Sequence, residues 1–140
     1  MKLFFTITKK RLFVLLVAVI ILFSVAVWGS GLKVSYIDGS THAKRMFYIN
    51  SLNVEVSEEE FTSKKTVIPQ KFGNVYVKYN NLQKEAGFDL SDYKGKNITV
   101  YSYPTADGEK ILTLLVHEGK IIGGDIAETK IDGEMKSLRK

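Results

Sequence analysis

Cysteine is absent from this chain, and with it disulfides, thiolate zinc sites, iron–sulfur clusters and any cysteine nucleophile. Histidine is almost absent. His42 and His117 stand far apart in the sequence, with no carboxylates at ligand spacing, so no metal site is expected. No GxSxG, HExxH, Walker or dinucleotide-binding pattern occurs, and no serine has a recognisable base beside it. The expectation is therefore a chain without a cofactor and without catalytic chemistry. A basic face is lacking as well, despite the net charge of +5. Lys2, Lys9, Lys10 and Arg11 supply 4 of the 20 basic residues, leaving 16 against 15 acidic ones, or +1, for everything after residue 11. A nucleic-acid footprint needs clustered Lys and Arg on the folded domain, and none is visible, so no nucleic-acid partner is expected.

What is present begins with a long apolar run. Residues 12–28 contain one polar member, Ser24. Seventeen residues of helix span about 25 Å, at the short end of what crosses a bilayer. Such a run leaves no polar face for water, which argues against a buried core helix. The Lys9-Lys10-Arg11 cluster precedes it and only Lys33 follows closely, which keeps the N-terminus in the cytoplasm and sends the rest outside. The competing reading is a cleaved signal peptide, since Ser24-Val25-Ala26 offers small residues where a signal peptidase reads. That product would be secreted. Against cleavage, the run exceeds a usual signal core and continues through Val27 and Trp28. An uncleaved anchor in the cell membrane is the preferred expectation, with the lipid bilayer as the partner of residues 12–28.

The expected organisation is a cytoplasmic basic tail at 1–11, a transmembrane helix or uncleaved signal anchor at 12–28, a linker at 29–40, an extracytoplasmic domain at 41–134 and a frayed basic tail at 135–140. Asp38, Ser40 and Thr41 offer caps for a helix over 42–52, with Met46, Phe47, Ile49 and Leu52 as its apolar side and Asn53 ending it in the role glycine often takes. Val54 and Val56 alternate around Glu55 like a short strand. Residues 57–65, with Glu58-Glu59-Glu60 against Lys64-Lys65, read as a solvated loop rather than a cation-binding patch. A short strand at 66–68 stops at Pro69.

Residues 71–96 are the organising stretch: an amphipathic helix, a stop at Gly87 and a polar turn. Phe72, Val75, Tyr76, Tyr79, Leu82 and Ala86 mark its expected core face, with Lys78, Asn81, Lys84 and Glu85 opposite. Strands follow at 98–103, 110–116 and 120–127, joined by Asp107-Gly108 and Glu118-Gly119 turns. The middle strand, apolar at nearly every position, is expected to be central. Helices segregated from a meander give an α+β class: an N-terminal transmembrane helix, then a small domain with two helices packed on one face of an antiparallel sheet that includes a C-terminal three-stranded meander.

Four residues are candidate ligand-binding positions. Asn80 and Gln83, with Asp89, are placed to line a pocket with Tyr76 and Tyr79. Asp89 has a second reading, with Asp92, as a backbone-capping turn residue. Asp125 follows Gly123-Gly124, a pair that inside a strand signals a bulge or another backbone's close approach. From a distorted strand edge Asp125 is placed to accept from a ligand; otherwise it caps local donors.

The segment YNNLQKEAGFDLSDYKGK, with Val67-Ile68-Pro69 before it and IIGGDIA after it, resembles a family of small uncharacterised single-span proteins of Gram-positive bacteria that carry an extracytoplasmic domain of unknown function. The resemblance covers about residues 43–138. One departure is Asn53-Val54, where it implies glycine followed by tryptophan. It implies the address and no activity. The expected function is a non-catalytic binding or interaction module of the bacterial cell envelope, its partner an envelope protein or wall polymer. The alternative is a small envelope hydrolase or lyase using Asp125 with Asp89 or His117.

Overall fold

In the computed structural model, residues 36–138 are described. The basic tail at 1–11 and the apolar run at 12–28 lie outside them. Among the described residues, no helix is long and apolar enough to cross a membrane.

The chain enters through a two-residue strand, β1 (Ile37–Asp38), inside what the sequence marks as linker. Helix α1 (His42–Ser51) follows, capped by the Thr41 hydroxyl, which accepts from the Lys44 amide. Asn53 ends the helix region at φ 56°, so asparagine does there what glycine would do without strain. Met46, Tyr48 and Ile49 are buried, but Phe47 is 80% exposed. The expected apolar side therefore needs correction. Residues two apart sit about 200° around a helix, so with Ile49 in the core Phe47 must point away.

Strand β2 (Thr62–Val67) begins four residues before its expected start, within the expected loop. All six of its residues are exposed, as suits an edge strand bearing Lys64 and Lys65, and that exposure is why no alternation marks it. The expected strand at 54–56 reduces to one bridge, Val56 to Thr105. Helix α2 (Asn74–Glu85) ends with Gly87 at φ 85°. Its buried residues are Asn80 and Gln83, with Phe72, Tyr76 and Tyr79 half-buried beside them. Val75, expected on the core face, is 83% exposed, so that face is rotated toward the polar residues.

A 3-10 turn (Leu90–Tyr93) leads into the meander of β3 (Asn97–Pro104), β4 (Lys110–His117) and β5 (Lys120–Glu128). Glu118 and Gly119 both have positive φ, the conformation that matches a two-residue turn to strand twist. A last strand, β6 (Met135–Ser137), pairs with β5, and Leu138 is buried in the core. The C-terminal stretch expected to fray is thus anchored as far as Leu138, because an apolar side chain there completes the packing over β5.

The antiparallel sheet runs β1-β5-β4-β3-β2, with β6 also on β5. On β4, Leu112, Leu114 and Val116 join Met46, Tyr48 and Ile49 of α1 in one core. Leu115, between them, joins Ile98 and Ile122 in a second core with Leu90, Ile68 and the α2 aromatics. Neighbouring strand residues project to opposite faces, so the helices cover opposite faces of the sheet, not the same one as expected. A strand covered on both sides has no need to alternate, which accounts for the near-continuous apolar run of β4.

Candidate functional site

Each of the four sequence-marked polar residues is held by α2 or by what α2 touches. The Asn80 amide donates to Asp89 Oδ1 (2.9 Å), while its oxygen accepts from the Leu90 amide (2.7 Å). Asp89 Oδ1 also accepts from the amide and hydroxyl of Ser91 (2.9 and 2.5 Å). The Ser91 hydroxyl and the Asn80 amide hold this carboxyl well below the usual carboxylate range. Gln83 is fully buried; its Oε1 accepts from the Gly124 amide at 2.7 Å, and its Nε2 has no hydrogen-bond partner. The Tyr79 hydroxyl donates to Asp125 Oδ2 at 2.6 Å. Burial pushes the Asp125 carboxyl up, against the lowering pull of that hydroxyl, and it pushes the Tyr79 hydroxyl up as well.

The glycine pair has a spatial reason. The ladder of β4 and β5 shifts register so that Ile122 is the extra residue, immediately before Gly123. A Cβ on Gly123 would meet Gln83 Oε1 at 2.8 Å, and one on Gly124 would meet the Thr113 carbonyl oxygen at 2.3 Å and Leu138 Cδ1 at 2.5 Å. Neither glycine has a positive φ. Asp125 does not sit on a strand edge as expected. It pairs with Thr113 of β4 on one side and Ser137 of β6 on the other, because the C-terminal strand adds to β5 there.

Of the alternative hydrolytic set Asp125, Asp89 and His117, the histidine stands apart from Asp125. His117 lies four residues beyond Thr113 along β4, about 13 Å from the level of Asp125. Its Nδ1 faces the Asn97 carbonyl oxygen at 2.7 Å. Asp89 and Asp125 share no hydrogen-bond partner. Among the described residues, no group of three or more His, Cys, Asp or Glu is placed to hold a metal ion.

Two concave surfaces lie elsewhere, around β1, and a third, of about 430 Å³, lies over β2 and β3. An apolar groove of about 1260 Å³ is lined by Tyr36, Ile37, Ala43, Phe47, Tyr48 and Leu138. A smaller, polar cleft of about 410 Å³ takes Ser40, Tyr93, His117, Glu118 and Lys120 as walls. Tyr36 and Asp38 line both. Sequence reasoning missed this region because residues 29–40 read as connector. The available signals were an aromatic–aliphatic pair, Tyr36-Ile37, inside that connector, and Phe47 out of phase with its helix.

The wall between groove and cleft is rigidly built. Asp38 accepts from the Ser40 amide and hydroxyl (3.0 and 2.7 Å) and pairs with Lys44. The Lys44 ammonium, then the Ser40 amide, lower its carboxyl to about 2. Beneath it, the buried Arg45 donates from Nε to the Tyr103 hydroxyl and from Nη1 to the Gly39 carbonyl, both at 2.9 Å. Its guanidinium lies 3.6 Å over the Tyr101 ring, and no carboxylate of the described residues pairs with it. Stacking on an aromatic face suits a weakly hydrated guanidinium, which makes Arg45 a strut fixing the turn from β1 into α1.

No curated protein and no solved structure matches the chain. Residues 46–126 match the family described as Domain of unknown function (DUF4830). The matched segment holds α2, the meander as far as Ile126 and all four sequence-marked polar residues; β1, the first turn of α1 and β6 lie outside it. With more than half of its length matched, the chain belongs to the DUF4830 family, a family defined by a domain of unknown function.

Proposed function

We propose that this protein is a non-catalytic binding module held by residues 12–28 at the outer face of a bacterial cell membrane, where it engages a component of the envelope. The observation that carries the reading is the apolar groove beside β1, with Tyr36 58% and Phe47 80% exposed. Large exposed aromatics around a concavity mark an interaction surface more often than a catalytic cleft. Two further features support it. Apart from the buried Gln83 Nε2, the polar groups around α2 bond to one another and to the backbone, so in this reading Asn80, Gln83, Asp89 and Asp125 serve packing. His117 lies about 13 Å along β4 from the level of Asp125, which disfavours acid–base work shared by that pair.

The test is topological. In cells stripped of their wall, added protease is expected to digest the domain, and the intact protein is expected to sediment with membranes. Recovery from culture medium without the first 26 residues would replace the anchor with a signal peptide.

A further inference from the structure

Groove and cleft adjoin at β1, where Tyr36 and Asp38 line both, and together they make a trough whose two arms differ in chemistry. On one side Ala43, Phe47, Tyr48 and Leu138 offer hydrocarbon, with Lys44, Ser51 and Glu85 also among the lining; on the other stand Ser40, Tyr93, His117, Glu118 and Lys120. The change happens across a single strand, a width of about 5 Å. A ligand filling both arms must change polarity over the same distance. The apolar arm, at about 1260 Å³, exceeds the ~300–1,000 Å³ of usual small-molecule pockets, as a site for a long hydrocarbon chain would.

The polar arm limits the head. Asp38 is already engaged by Lys44 and Ser40, so the charges it leaves for a ligand are Glu118 and Lys120, which cancel. A multiply charged head would find no excess of opposite charge there. Tyr36 supplies a ring face, and Ser40 and Tyr93 hydroxyls, for an uncharged head rich in hydroxyl groups; the Tyr93 ring itself is engaged by Lys120 and His117. Position narrows the source. The chain reaches the trough at Tyr36, eight residues after Trp28, and eight extended residues reach at most about 29 Å. Under the anchored reading, the trough stays within that distance of the outer leaflet.

We propose that the trough binds an amphiphile of the outer leaflet, with its acyl chain along Ala43, Phe47 and Tyr48 and an uncharged, sugar-like head between Tyr36 and Tyr93. This rests on the anchored, outward-facing reading above.

A photoreactive benzoylphenylalanine placed at Phe47 in the full-length chain tests it, because that side chain is exposed and tolerates enlargement. The protein is reconstituted into vesicles of phosphatidylglycerol containing a minor fraction of diglucosyl diacylglycerol, irradiated, digested and analysed by mass spectrometry. The expected product is a glycolipid adduct on the peptide carrying position 47, enriched several-fold over the lipid's share of the bilayer. Ala43→Trp fills the apolar arm from an exposed helix position, so the adduct should fall several-fold with the melting temperature unchanged. Adducts in proportion to bilayer composition, crosslinks to a second copy, or no adduct from protein that sediments with the vesicles would each overturn the proposal while leaving the anchor intact. Protein that fails to sediment with vesicles would overturn the anchored reading itself, and the inference with it.

Discussion

Helix α1 lays Met46, Tyr48 and Ile49 against Leu112, Leu114 and Val116, whereas α2 brings Asn80 and Gln83 as its buried residues to the opposite face. Apolar burial is non-directional and tolerates repacking; a buried hydrogen bond is satisfied at one setting of the helix and is costly at others. The reason for the difference lies in β5. Residues Lys120 and Ile121 pair with β1, and Asp125 to Ala127 pair with β6, leaving Gly124 between them without a strand partner on that side. A buried amide must be satisfied, and the Gln83 side chain does this from the helix. Tyr79 and Asp125 fix the same contact one helical turn away. Polar fastening thus sets where α2 sits, and apolar fastening sets how firmly α1 holds.

The largest effect should come from closing the space on which the α2 face depends. Gly124→Val is expected to prevent folding, since its Cβ alone falls 2.3 Å from the Thr113 carbonyl oxygen, which belongs to the sheet and cannot swing aside. Gly123→Ala meets side-chain ends, Gln83 Oε1 at 2.8 Å and the Leu90 and Leu115 methyls at 3.2 and 3.3 Å, and should fold with reduced stability. Soluble yield and thermal melts by circular dichroism decide. A Gly124→Ala protein that melts like the wild type would break the account of close approach.

Next come paired substitutions on the two faces. Ile49→Ala should cost about 2–5 kcal/mol, the range for emptying a buried aliphatic site. Gln83→Leu adds apolar surface to the core yet strands the Gly124 amide, and should cost about 1–3 kcal/mol. Denaturant unfolding of the full chain measures both. If Gln83→Leu is more stable than the wild type, α2 is held by hydrophobic contact after all and the contrast between the faces disappears. Arg45→Lys sharpens the same point on the α1 side. A lysine cannot give both bonds and the stack on Tyr101, so a loss of about 1–3 kcal/mol is expected while the charge is kept.

Where the sequence could be read, the signal was local. The glycine stop at Gly87, the Glu118-Gly119 turn and the Thr41 cap depend on residues within a few positions of each other, and the structure has them in those roles. The meander was legible because short turns leave consecutive strands little choice but to pair. What escaped depends on distant partners. Burial of Asn80 and Gln83 inverts the usual hydrophobic face, and only knowledge that β5 needs a donor's partner would reveal it. Strand β2 hides because an edge strand with both faces wet has no period. Strands β1 and β6 hide because two or three residues carry no pattern. The groove escaped with β1, since its walls come from segments that sequence assigns to connector and helix surface.

The smallest effect separates two carboxylates through their response to pH. Asp125 is 4% exposed and accepts one hydrogen bond from Tyr79, and burial places its folded-state pKa above the unfolded value of 3.8. The folded state then holds the proton longer than the unfolded state, so this group's contribution is greatest below pH 3.8 and is lost as pH rises through the folded value. Asparagine does not titrate and still offers Oδ1 to the Tyr79 hydroxyl. The stability of the wild type minus that of Asp125→Asn should therefore fall as pH rises from 3.8 through the folded value. Asp38 should show the opposite sign. Lys44 and Ser40 lower its carboxyl to about 2, so its contribution is complete above 3.8 and is lost as pH falls through about 2. Denaturant melts of Asp125→Asn and Asp38→Asn across these pH values test the pair. Slopes of the same sign would mean that a cation compensates Asp125, and the polar fastening of α2 would then include an ion pair that the described residues do not supply.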